Sequence, residues 1–244
     1  MALFDKFKHK DDSDGANGAG GVKPEAEQNA GPIYVYSKEE LSELDKYIQT
    51  AFGTYKEVIH ELSSPDIHLD VCVVDPTEES PFYKLVTVGA GAYRMNVPEK
   101  YREWELEHAE YVICVPADWK LQCPGMNYYW PIKVLKDMAR LPVWGNTWLA
   151  FGHTSQADEA GSPYASGTSF NSVVLDLAPS LDGEPAHVRL SSGKLLNFYQ
   201  LIPLYPEELK FKMENNSEVL LDKLDELGIQ YRVVDVNRKG IGRE

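Results

Sequence analysis

The sequence predicts an α+β domain with a mixed, largely antiparallel sheet covered by helices, and three observations carry that reading. Four strand-like segments follow in quick succession, and no long helical pattern separates the first three. That order implies hairpins rather than crossover units. A strongly marked helix precedes them. Of the 244 residues, 43% are hydrophobic and 11% aromatic, which is ample for a core without disulfide staples.

Residues 1–31 read as a disordered tail, because Gly, Ala, Asn, Asp and Lys dominate and no apolar period follows Phe7. Met1–Lys10 carries a weak amphipathic pattern too short to anchor anything. Residues 32–244 form the domain. Its first helix is expected over Lys38–Phe52, announced by Ser37 with Glu40 three residues on, a capping box. Tyr36 and Leu41 would staple its entry. Leu41, Leu44, Ile48 and Phe52 share one face, and Gly53 is the stop signal.

Strands are then predicted over Tyr55–Leu62, Ile67–Asp75, Phe82–Ala90 and Tyr111–Val115, rich in β-branched and aromatic residues and divided by Pro, Ser, Asp or Gly. A second helix is placed at Pro131–Arg140, with Pro131 in its first turn and Pro142 just past its end. Strands at Thr147–Phe151, Ser172–Leu177 and Leu195–Leu204 follow. Helical segments at Pro206–Met213 and Glu218–Leu227 and a final strand at Gln230–Val236 complete the layer. No internal repeat is visible.

Charge narrows the partner class. With 24 Lys+Arg against 38 Asp+Glu, the net charge is −14. A nucleic-acid binder needs a cationic surface, so nucleic acid is not expected; a basic protein partner would be complementary, and the acidity would equally serve to keep the protein soluble. The tail holds four Lys against six acids, so nearly all the acidity belongs to the domain. Cys72, Cys114 and Cys123 are odd in number and make no CxxC pair, which fits a reducing compartment. Neither a signal-peptide core nor a membrane-length apolar run is present, so the expectation is cytoplasmic.

Few residues suggest chemistry. His68 and Asp70, two apart on a predicted strand, leave the same face and form half of a polar site that His60, Glu61 or His153 would have to complete. Gly152-His153-Thr154-Ser155 and Gly167-Thr168-Ser169-Phe170-Asn171 both miss the GxSxG nucleophile pattern. Gly89-Ala90-Gly91 lacks the third glycine of a dinucleotide loop and is better read as a bulge or close backbone approach. Ser217 is read as a helix N-cap. Between Tyr101 and Phe151 the aromatics are dense. Most belong in a core, while Tyr128 and Tyr129 in a loop-like stretch and Trp144 beside Gly145 are the candidates for exposed anchors.

Tyr129-Trp130-Pro131-Ile132-Lys133-Val134-Leu135-Lys136-Asp137-Met138-Ala139-Arg140-Leu141-Pro142, continuing through Thr147–Thr154, resembles the suppressor of fused family. The order persists in Val173–Pro179 and in Leu196–Leu209. Asp66–Val71 and Val86–Gly89 look like the matching segments of compact bacterial members. The resemblance covers about residues 34–236 and rests on core and turn residues rather than catalytic ones. It implies binding: animal members hold transcription factors of the Hedgehog pathway by strand addition between two domains, and this chain looks like the N-terminal one alone. Bacterial single-domain members resemble immunity proteins of polymorphic toxin systems.

The leading expectation is thus a non-enzymatic immunity or antitoxin-like protein, without a cofactor or metal, that occludes a toxin domain such as a basic nuclease. Tyr128, Tyr129, Trp144, Asp158 and Glu159 are its candidate contacts. Two alternatives stand beside it. One is a peptide-binding adaptor using an exposed sheet edge. The other is a hydrolytic or metal enzyme around His68, Asp70 and His153. Oligomeric state is open.

Overall fold

The computed structural model describes residues 33–123 and 125–242. The expected tail and its amphipathic start lie outside the described residues. Among the described residues eight strands form one sheet in the order β1-β2-β3-β4-β8-β6-β5, with β7 also pairing β8. In chain order these are β1 Tyr55–Ile59, β2 Asp70–Val74, β3 Phe82–Val88, β4 His108–Pro116, β5 Thr154–Gln156, β6 Ser172–Leu177, β7 His187–Arg189 and β8 Leu195–Leu204. The helices are α1 Lys38–Ala51, α2 Met126–Gly145, α3 Pro206–Glu214 and α4 Ser217–Glu226. Every strand pairing is antiparallel except β4 with β8, which runs parallel from His108 beside Leu196 to Val112 beside Gln200. The mixed, largely antiparallel sheet is therefore as the strand order implied.

Strand alternation sends successive residues to opposite faces. Val71, Val73, Leu85, Tyr111, Ile113, Val115, Val173, Leu175 and Leu201 pack under α2 through Trp130, Leu135 and Met138. On the other face Cys72, Val74, Val86, Val112 and Phe198 meet Leu44 and Ile48 of α1 and Phe52 at its C-cap. Farther along that face Val174, Ile202 and Leu204 meet Leu220, Leu221 and Leu224 of α4. Thus α2 covers one face, while α1 and α4, with Phe211 of α3, lie on the other.

The capping box of α1 forms as read: Glu40 N donates to Ser37 Oγ at 3.1 Å and Ser37 N donates to Glu40 Oε2 at 3.0 Å. The two residues of the expected staple differ in exposure. Leu41 is exposed, whereas Tyr36 is buried because its hydroxyl reaches across to Glu110. Gly53 has φ 114°, the stop that only glycine adopts cheaply. Gly89, with φ 132°, is a close approach: a Cβ there would lie 1.9 Å from the His68 carbonyl oxygen.

Four expectations need correction. The second helix begins at Met126 and ends at Gly145, so Pro131 and Pro142 lie inside it, and Tyr128 and Tyr129 sit in its first turn rather than in a loop. Residues 147–151 are not a strand but a buried coil whose apolar side chains pack into the core. Residues 230–236 dock without joining the sheet, with Val234 N donating to Cys114 O at 2.9 Å. Asn216, not Ser217, caps α4: its side chain accepts from Val219 N, while Ser217 Oγ donates to the Gly152 carbonyl at 2.7 Å.

Candidate partner-binding face

The segment between β1 and β2 is too polar to pack on its own, and α2 supplies what it lacks. Arg140, on the face of α2 turned toward the sheet, is buried and reaches both oxygens of Glu61 with Nη2, at 2.5 and 2.7 Å. Its Nε donates to Asp66 Oδ1 at 3.1 Å. A guanidinium shared by two nearly buried carboxylates is the arrangement that makes such charges tolerable away from water. Asp66 has a second oxygen to offer, and Trp144 Nε1 donates to it at 2.6 Å. The indole is 53% exposed yet held in one orientation by the chain Glu61–Arg140–Asp66–Trp144.

Asp66 also links Trp144 to an apolar and aromatic segment. Tyr34 N donates to Asp66 O at 2.7 Å and His68 N to Tyr34 O at 3.2 Å, laying Ile33-Tyr34-Val35 alongside Asp66 and Ile67. Ile33 is 51% and Val35 60% exposed. The Tyr34 ring stands edge-on to Tyr93 at 5.0 Å. From Tyr93 an open groove of about 430 Å³ runs past Asn96, Val97 and Glu107 to Asn146, two residues beyond Trp144. Asn96 Nδ2 closes the ring by donating to Asn146 O at 3.3 Å. The result is a continuous face with a fixed tryptophan, two tyrosines and an adjoining polar groove.

His68 and Asp70 border this face. His68 Nε2 lies 3.5 Å from Asp70 Oδ1, His60 Nδ1 3.0 Å from Asp70 Oδ2, and Glu61 N donates to Asp70 Oδ1. So His60 and Glu61 do converge on the pair. Ser64 Oγ sits 2.9 Å from His68 Nδ1, but it also donates its single proton to Glu61 Oε2 at 2.9 Å. The imidazole therefore donates to the hydroxyl instead of drawing a proton from it, the reverse of nucleophile activation. His153 is elsewhere. Its ring meets Trp148 edge-on at 4.5 Å, just before β5, while β2 lies near the other edge of the sheet. Among the described residues no group of three or more His, Cys, Asp and Glu could hold a metal ion.

The other anchors scatter. Tyr128 is half-buried against Trp119 at 5.8 Å with Lys120 over its ring, and Tyr129 packs on the core. Asp158 accepts from Ser162 N at 2.9 Å, and those turn hydrogen bonds hold its carboxyl below the usual range. Glu159 is exposed beside it, on the β5–β6 connection at the edge of the sheet away from β1. Only Trp144 of the five lies on the face described. Its neighbours Tyr34 and Tyr93 went unremarked in the sequence, where Ile33-Tyr34-Val35 before a capping box was the available signal.

Residues 65–239 match the family model described as suppressor of fused protein. The chain belongs to the suppressor of fused family. No curated protein sequence matches it. Among solved structures it is similar to a protein described as a suppressor of fused homologue from Neisseria gonorrhoeae FA 1090, at 20% identity and TM-score 0.55, over 84% of this chain and 96% of that one. It is also similar to a chain of the Sufu–Fu complex, at 11% identity and TM-score 0.59, over 83% of this chain and 91% of that one. These likenesses establish the suppressor of fused fold. No helix among the described residues is long and apolar enough to cross a membrane.

Proposed function

We propose that this chain is a non-enzymatic protein-binding module whose contact face is centred on Trp144. The observation that carries the reading is the exposed indole locked to Asp66, itself held by Arg140 and Glu61. Large aromatics with few freedoms to lose are the residues on which interfaces concentrate their binding energy, and immobilising one beforehand removes part of the ordering cost. A family neighbour solved as a complex with another protein supports a protein partner.

The finer reading is an immunity protein that masks a basic toxin domain, supported by the charge of −14. Its test is co-expression with the toxin domain encoded beside the gene: cells survive with the native chain and lose protection with Trp144→Ala. Absence of any partner in affinity capture from the native host, with the chain folded, would sink the binding reading itself. Where a partner is captured, Trp144→Ala should weaken it by about 2 kcal/mol, roughly thirtyfold.

Sheet-edge peptide binding is less well supported. The β1 edge carries a register shift between Tyr55 and Glu57 with Lys56 at that point, and β5 is only three residues long. A bulge, an edge lysine and a short strand all discourage an added strand.

A further inference from the structure

Among the described residues seven charged side chains are buried; five lie in ion pairs, Glu40 with Lys194 among them, and Glu110 accepts four hydrogen bonds. Arg140 has Glu61 and Asp66, Arg238 has Glu208, and Asp176 has Arg232. Lys84 does not fit that scheme. It is 7% exposed, on β3, and no carboxylate pairs with it among the described residues. Among the described residues its one hydrogen bond goes from Nζ to the Phe52 carbonyl, at 3.0 Å, and its only ring contact is Phe82 at 5.3 Å. The carbonyl lies at the C-terminal end of α1, whose last turn has no basic residue of its own, so part of the role of Lys84 is to cap that helix. An ammonium has three N–H donors, and this uses one.

The other side of Lys84 is a cavity of about 70 Å³. Its floor is the sheet: Lys84 of β3 beside Cys114 of β4, then Val112 of β4 beside Gln200 of β8. Phe52, Phe82, Ala178 and Pro179 wall it, and the exposed Arg232 also lines it. Gln200 Nε2 is already committed to the Arg232 carbonyl at 2.5 Å and to Cys114 Sγ at 3.4 Å. Arg232 is neutralised by Asp176 at 2.6 Å, which leaves Lys84 as the local excess positive charge. Burial drives the Lys84 pKa down, and it pushes the neighbouring Cys114 thiol up to about 12, so the thiol offers no counter-charge. A buried charge without a partner is costly, and an apolar cavity beside it admits a molecule that supplies one.

We propose that this cavity is a binding site for a short aliphatic carboxylate, its carboxyl on the Lys84 ammonium and its alkyl end against Phe52, Phe82, Val112 and Ala178. The volume holds roughly five water-sized groups, the size of a three- to five-carbon acid. The site lies on the α1 face of the sheet and is independent of the Trp144 surface. A sodium butyrate titration of the full chain, followed by saturation-transfer NMR, should saturate, with 1-butanol at equal concentration failing to displace it. Lys84→Met keeps the shape and removes the charge, and should weaken butyrate roughly tenfold or more. Ala178→Leu fills the cavity from its apolar wall and should abolish binding while Lys84 remains, with circular dichroism confirming that both variants fold. Lack of saturation by the native chain, or equal affinity in Lys84→Met, would overturn the proposal.

Discussion

At the scale of single residues, the buried acid Glu110 shows how atoms decide the outcome of a substitution. Its Oε1 accepts from Tyr36 Oη at 2.6 Å and from the backbone N–H of Gly89 and Gly91 at 3.0 Å each, while Oε2 accepts from Thr87 Oγ at 2.5 Å. Glu110→Gln preserves the first oxygen and turns an amide donor toward a hydroxyl that can accept, so its cost should stay within about 1 kcal/mol. Glu110→Ala strands four donors and should cost about 3 kcal/mol or more in urea unfolding. Burial outweighs those donors and raises the Glu110 pKa. The folded protein therefore holds that proton more tightly than an unfolded chain, whose glutamates titrate at about 4.3. The resulting stability is complete at lower pH and declines as pH rises through the folded-state value. Glu110→Gln lacks this decline, so its stability relative to the native chain should improve from pH 5 to pH 8. Arg140→Met, by contrast, leaves Glu61 and Asp66 facing each other without their cation, and should cost about 3 to 5 kcal/mol.

At the scale of elements, local grammar was readable and tertiary override was not. The α1 capping box uses residues three apart, so Ser37 and Glu40 announced it without help from the fold. Ser37→Ala should lower stability by about 1 kcal/mol in the same unfolding assay. Pro131 misled because proline belongs in a first turn, yet here the turn before it is held by packing: Asn127 accepts from Ser166 Oγ and Gly167 N, and Trp119 Nε1 donates to the Tyr128 carbonyl. The apolar run at 148–151 looked like a strand because burial and β-pairing leave the same composition, and only length and partners separate them. Gly89 was legible as a close approach, though its neighbour was not. Gly89→Ala drives a Cβ against the His68 carbonyl at φ 132° and should cost more than about 3 kcal/mol, seen as a lowered melting temperature.

At the scale of the whole molecule, the α+β class followed from strand succession, and the family from long stretches of core and turn residues. The site was only partly readable. Trp144 stood out by its company of Gly145 and Pro142, but its lock, Asp66, is 78 residues away, and no spacing rule joins residues that distant. His68 and Asp70 did come together, since two-residue alternation is local, whereas His153 required knowledge of strand order. With a net charge of −14, association with a basic partner should slow as ionic strength rises while dissociation changes little, a split that stopped-flow kinetics would read directly.

The parallel seam between β4 and β8 has a kinetic consequence. Each side of it is built from neighbours in sequence: β1 to β4 zip as successive hairpins, and β6 and β7 fold back onto β8. The seam itself joins His108 to Leu196, and closing so long a span of chain carries an entropy loss that must precede its hydrogen bonds. The two halves should therefore gain amide protection early and separately during refolding, and pulse-labelled exchange should find the amides shared by β4 and β8 the last in the sheet to be shielded. Until that seam shuts, the β4 and β8 edges are open, and refolding yield should fall as protein concentration rises.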